Sequence, residues 1–195
     1  MAQAAAAAGE ALRRLGRTTQ IVIGTGVQAG AEVDAVKHGS APAVRQTVLE
    51  ALNGAAWAHF FCHAPSDPMR PSAGQLQLTG TEALSVLDIC KVHTRAARRV
   101  FLAACGTART SQRLPDEAMH ITSAFLVAGF PEAVGTLWEI DSVSAAEVTR
   151  IFHARVHDEL IATTSAFTLH ETIRELKSRH PNQPHVWAAY LHAGV

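Results

Sequence analysis

Arg99-Val100-Phe101-Leu102-Ala103-Ala104-Cys105-Gly106-Thr107 is the stretch on which the reading of the fold turns. Its first six residues form a mostly apolar run without polar alternation, the pattern of a strand covered on both faces, and such strands belong to parallel sheets flanked by helices. Upstream, Ala56 to Phe61 predicts a second strand. It leads into Cys62-His63-Ala64-Pro65, where the proline forces the chain out of regular structure and leaves His63 at a strand end. Downstream, Ala133 to Trp138 predicts a third strand, and Gln20 to Ile23, followed by Gly24-Thr25-Gly26, a short core or edge strand. Helical patterns separate them. After Pro42, the residues Val44, Val48, Leu49 and Leu52 mark one apolar face that Asn53-Gly54 stops. A loop-rich excursion from Ser66 to Gly80 precedes a short amphipathic piece carrying Leu84, Leu87 and Ile89. Asp116 to Phe130 reads as a buried helix ended by Gly129 and Pro131. Ser144 with Glu147 three residues on reads as the cap of a helix over Ala145 to Leu160, with Val148, Ile151, Phe152 and Val156 facing the sheet. Ser165 to Lys177 predicts a further helix that buries Phe167 and Ile173, before the closing segment Trp187 to Leu191. Strands separated by helices argue for an α/β fold with a mostly parallel sheet and helices on both faces.

The 195 residues, 48% of them apolar, suit one domain with a full core. Seventeen basic residues balance 17 acidic ones, so no net field draws the chain to nucleic acid or an anionic membrane, and neither is expected as a partner. The runs Arg13-Arg14 and Arg95 to Arg99 read as solvated surface. No apolar run approaches the roughly 18 to 20 residues of a membrane span. Three cysteines are too few for a disulfide framework, which points to a reducing, cytoplasmic compartment. Residues 1–18, with their alanine tract, read as a helical extension or frayed end, and 19–195 as the domain proper. Gly24, Gly26 and Gly30 miss the dinucleotide spacing, and Lys177-Ser178 lacks the glycine-rich lead of a phosphate loop, so no cofactor is expected. His59, Cys62, His63, Cys90 and His93 lack finger-like spacing, and the other histidines, His120 and His153 among them, follow no ligand pattern and read as surface or packing residues. No metal site is expected.

In a parallel sheet the carboxyl ends of the strands collect the functional loops, and both His63 and Cys105 fall at such ends. A thiol near its free pKa of about 8.5 is weakly ionised at neutral pH, and a neighbouring histidine raises the thiolate fraction. Gly106, with no Cβ, lets the backbone turn sharply and aim an N–H beside the sulfur. Cys62 alternates to the opposite face from His63 and reads as a packing residue.

Four blocks of the chain resemble the CHAT domain, a caspase-like family that includes relatives of separase: His59-Phe60-Phe61-Cys62-His63, Leu102-Ala103-Ala104-Cys105-Gly106-Thr107-Ala108, Ala124 to Gly129 with Val134-Gly135-Thr136-Leu137-Trp138, and Trp187-Ala188-Ala189-Tyr190. They stand in family order. The resemblance implies a cysteine peptidase in which Cys105 is the nucleophile and His63 its partner, with the backbone N–H groups of Ala64 and Gly106 around the oxyanion. It also implies a protein or peptide substrate, and a regulatory protein partner, since many relatives carry repeat domains or a further caspase-like half. Two positions depart from the family pattern. Glycine usually follows the histidine, where this chain has Ala64. An aspartate usually lies four residues beyond the tryptophan, where this chain has Ser142, with Asp141 one position earlier; these two residues are the candidates for recognising a basic side chain before the cleaved bond. The departures define the alternative, a caspase-like module of weak or no activity that serves protein–protein interaction.

Overall fold

A computed structural model describes residues 20–24, 34–36, 44–65, 67, 69–95, 97–110, 119–158 and 164–195. The expected extension over residues 1–18 and the Arg13-Arg14 pair lie outside the described residues. Eight strands are described: β1 (Gln20–Gly24), β2 (Asp34–Val36), β3 (Trp57–Phe61), β4 (Gln75–Gln77), β5 (Ala83–Ser85), β6 (Arg99–Leu102), β7 (Glu132–Thr136) and β8 (Tyr190–Gly194). Six of them form one sheet in the order β2-β1-β3-β6-β7-β8, while β4 and β5 pair separately. The inner strands β1, β3, β6 and β7 run parallel. The outer strands β2 and β8 are antiparallel to their neighbours.

Helices cover both faces, as the alternation of strand and helix predicts. On one face α1 (Arg45–Gly54), α2 (Val86–Cys90) and α3 (Ile121–Val127) bury Val48, Leu52, Ile89 and Phe125 against Phe60, Val100 and Leu102. On the other, α4 (Ser142–Asp158) and α5 (Ser165–Arg179) bury Val148, Phe152, Leu169 and Leu176 against Trp57, Phe61, Phe101 and Val134. Consecutive residues of β3 and β6 thus serve opposite layers, which is the period of a strand, and both layers are apolar, which is why the sequence shows no polar alternation.

Several elements differ from expectation for local reasons. The excursion after Pro65 contains the β4–β5 ribbon, and Leu84 lies in β5 rather than in a helix. The helix waits for Val86 because the Ser85 hydroxyl accepts the Asp88 N–H while the Asp88 carboxylate takes the Ser85 N–H, a capping box one residue beyond Leu84. Helix α3 starts at Ile121, since His120 is extended and caps it with Nδ1 on the Ser123 N–H; residues 116–118 are outside the described residues. Helix α4 begins three residues before Ala145. Its cap is the Asp141 carboxylate, which accepts the N–H groups of Val143 and Ser144 at 2.9 Å each and the Ser144 hydroxyl. In α5, Phe167 is exposed and Thr168, Leu169, Thr172 and Leu176 form the buried face. The closing segment turns through α6 (Pro184–Trp187) and becomes edge strand β8. Arg99, expected in solvent with the rest of its run, is largely buried: its guanidinium pairs with Glu132 at 3.1 Å and lies 4.2 Å above the Trp57 ring. Glu132 in turn accepts the N–H and hydroxyl of Ser165, which ties the start of α5 to the sheet.

Candidate active site

Because β3 and β6 are parallel, their carboxyl ends lie on one edge of the sheet. Their register pairs Trp57 with Arg99, Ala58 with Val100, His59 with Phe101 and Phe60 with Leu102, and the ladder carries on through the Ala103 N–H on the Phe60 carbonyl at 2.8 Å. Each pair is 42 residues apart. His63 and Cys105, separated by the same 42 residues, follow the ends of these two adjacent strands. Phe61 and Ala103, each two residues before the candidate side chain, both lie in the layer under α4 and α5.

Beyond β3 the chain is held by β4: the His63 carbonyl accepts the Gln77 N–H at 2.8 Å and the Pro65 carbonyl the Gln75 N–H at 3.4 Å. The segment is fastened through its backbone, while the His63 side chain is exposed and Ala64 is buried. Beyond β6 the loop is fastened to β7. Thr136 donates its hydroxyl to the Ala104 carbonyl and its N–H to the Thr107 hydroxyl at 3.0 Å, and the Thr107 N–H returns to the Thr136 hydroxyl. Gly135 permits this approach: a Cβ there would come within 2.2 Å of the Thr122 hydroxyl and 2.9 Å of the Thr107 hydroxyl. Gly106 has φ of 60°, a left-handed turn that suits glycine and lets the chain break away immediately after Cys105.

Cys105 is partly exposed, and its thiol faces the Ile140 carbonyl at 3.8 Å. The Gly106 N–H does not point into the space beside the sulfur as expected; it is donated to the Trp138 carbonyl at 3.2 Å. Cys62 is buried in the opposite layer, and burial, with a further contribution from Cys105, pushes its thiol up to about 12. At neutral pH Cys62 is therefore a protonated packing residue. Asp141, the candidate for substrate recognition, holds its side chain on the first turn of α4. Partial burial raises its pKa, but the hydrogen bonds from Ser144 and Val143 outweigh this and hold it below the usual carboxylate value. Ser142, the first residue of α4, is exposed beside it.

Sequence reasoning assigned no specific contact to four polar side chains, His59, His153, His120 and Tyr190. His59 and His153, read as unpatterned, form a fully buried pair, Nδ1 to Nε2 at 2.8 Å, among Phe61, Phe101 and Phe152. The signal was a polar ring in the middle of an apolar strand, which has to find a buried partner. His120, read the same way, is half-buried and contacts the Thr107 backbone. Tyr190 is buried against Phe101, ring centroids 5.9 Å apart. Among the described residues no three metal-ligating side chains converge.

These features define an α/β domain whose adjacent central strands deliver a histidine and a cysteine to one edge. The CHAT domain family model matches residues 2–195, and the chain belongs to the CHAT domain family. Its fold is caspase-like. It is similar to the Arg-specific cysteine proteinase gingipain R (RgpB), with a TM-score of 0.58 and 10% identity over 80% of this chain and 36% of that one. It is also similar to a complex of the pro- and mature domains of Porphyromonas gingivalis RgpB, with a TM-score of 0.61 and 9% identity over 90% of this chain and 47% of that one. The chain thus spans less than half the length of the solved structures it resembles. No curated protein matches it in sequence.

Proposed function

We propose that this domain is a cysteine peptidase in which Cys105 attacks the scissile carbonyl and His63 manages the protons. The observation that supports the reading is the parallel pairing of β3 and β6, whose carboxyl ends lead into His63 and Cys105 at the same edge of the sheet. His63 takes the thiol proton, passes it to the leaving amine as the acyl-enzyme forms, and then draws a proton from the water that releases the acid. The Ala64 N–H, at the same strand end, is the proposed oxyanion donor, and the Gly106 N–H joins it only if the bond to Trp138 opens. Asp141 supports a preference for a basic residue before the cleaved bond. It is exposed, keeps its charge, and lies just beyond Ile140, whose carbonyl faces the sulfur. The specificity in the name of gingipain R is in line with this, and so is a regulatory protein partner with the prodomain in its complex.

The second reading, a caspase-like module that binds proteins without turning them over, is favoured by one observation, the Gly106 N–H already bonded to Trp138. An electrophilic peptide probe ending in arginine separates the two. The peptidase reading expects covalent capture at Cys105, lost in Cys105→Ala and slowed in His63→Ala. Capture at Cys90, or none at all, would leave the binding module.

A further inference from the structure

The hydroxyl of Tyr190 is buried without a hydrogen-bond partner among the described residues. The side chain is 5% exposed. A buried hydroxyl left unpaired is destabilising, and phenylalanine would fill the same space without that penalty. The location of this oxygen suggests what it serves. Tyr190 opens β8 opposite Thr136, the residue whose hydroxyl holds the Ala104 carbonyl. Its ring reaches Phe101 in the layer that also holds Ala103, two residues before Cys105. Burial first, and then the negative charge that Cys105 and Asp141 carry when ionised, push the Tyr190 hydroxyl above its ordinary value. The group is therefore a protonated donor, electrostatically coupled to both side chains.

Ionisation of the thiol changes what surrounds it. As a thiol, Cys105 can donate to the Ile140 carbonyl. Once its proton has passed to His63, the sulfur carries negative charge against a carbonyl oxygen, which is repulsive, so the thiolate gains from turning toward a donor. We propose that Tyr190 is this donor, its O–H bonding the Cys105 thiolate and so favouring the nucleophilic form. The proton stays on the tyrosine oxygen throughout; only the cysteine proton moves. The proposal rests on the peptidase reading for its purpose, but the contact between hydroxyl and thiolate can be tested without any peptide substrate.

The test is the pH dependence of iodoacetamide alkylation, with the modified Cys105 peptide quantified by mass spectrometry so that Cys90 does not contribute. In Tyr190→Phe the rate at neutral pH falls about tenfold, the size of one hydrogen bond to a charged group, while the plateau at alkaline pH is unchanged. An unchanged rate at neutral pH, or an equal loss at every pH, overturns the proposal, the second result meaning altered access. A substitution in the opposite direction guards against a packing effect. Tyr190 is the single tyrosine of the chain, so fluorotyrosine can be placed there alone. Its more acidic O–H is a stronger donor, which should speed alkylation at neutral pH, and its fluorine resonance should move when Cys105 ionises. A resonance indifferent to that ionisation sinks the contact. Failure of the peptidase reading shows elsewhere, as absence of probe capture and hydrolysis while the alkylation profile still shifts.

Discussion

Acidification from pH 7 to pH 5 should cost this domain about 2 kcal/mol of folding stability through His59, with a further loss of the same sign through its neighbour His153. Both are fully buried, and the 2.8 Å contact joins Nδ1 of one to Nε2 of the other. Their remaining ring nitrogens, Nε2 of His59 and Nδ1 of His153, have no partner among the described residues. A proton added to either ring would enter an aromatic layer with nothing to accept it. Burial accordingly lowers His59 from 6.5 to about 3, and burial, then His59 and Arg99, hold His153 well below its ordinary value. The sign follows directly: the unfolded chain binds these protons below pH 6.5 and the folded chain does not, so the stability is complete above that pH and drains as pH falls toward 3. At pH 5 His59 has given up about 2 kcal/mol, and His153 adds to the loss in the same direction. A loss of that size is a large share of the roughly 5–15 kcal/mol that holds a domain together. The window from pH 7 to 5 also lies above the range in which Asp88, Asp141 and Glu175, all lowered, are protonated. The assay is urea unfolding at the two pH values for the natural sequence and for His59→Phe/His153→Leu, which replaces both partners by apolar side chains. The natural protein should lose the stability and the double variant should hold most of it. A loss below about 1 kcal/mol in the natural protein, or an equal slope in both, would refute the neutral buried pair.

Removing one sulfur at a time separates chemistry from packing: Cys62→Ala should lower stability by about 1 kcal/mol and keep probe capture, as measured by thermal melting and mass spectrometry. Cys105→Ala should do the reverse, keeping the melting temperature and losing capture. Gly135→Ala drives a methyl against the Thr107 and Thr122 hydroxyls, so it should reduce both stability and Cys105 reactivity, and an unaltered alkylation rate would show that the Thr107 loop does not position the sulfur. Asp141→Ala should destabilise α4 by about 1 kcal/mol through loss of its cap, whereas Asp141→Asn should retain most of the cap. If Asp141 also reads a basic side chain, the asparagine variant loses hydrolysis of arginine peptides more than of neutral ones; equal losses would confine the residue to capping.

The central strands were legible because burial on both faces leaves a continuous apolar run, and Phe101-Leu102 and Phe60-Phe61 carry that signature without ambiguity. Their ends were legible because Pro65 and Gly106 interrupt them, and this brought His63 and Cys105 forward as candidates. What the sequence hid was pairing across long separations. Arg99 looks like the end of a solvated basic run until the sheet places Glu132 beside it. His153 looks like one histidine among 11 until α4 turns it onto His59. The stretch Asp141-Ser142-Val143-Ser144 offers two cap residues, and choosing between them requires knowing where β7 releases the chain. The shared role of Thr136 and Thr107 depends on β6 and β7 lying side by side, which no local pattern states.

The constant offset between β3 and β6 also says which changes this scaffold tolerates. The turn between β4 and β5, Leu78 to Glu82, lies outside the six-stranded sheet, so insertions or deletions there leave the pairing of β3 with β6 untouched. A single residue inserted within Val100 to Ala104 does not have that freedom. It would either open a bulge or slide the pairing by one, and a slide turns each later side chain to the opposite layer. The sulfur would then face the helices α1 to α3, buried with Cys62, in a protein that had kept its fold and its composition.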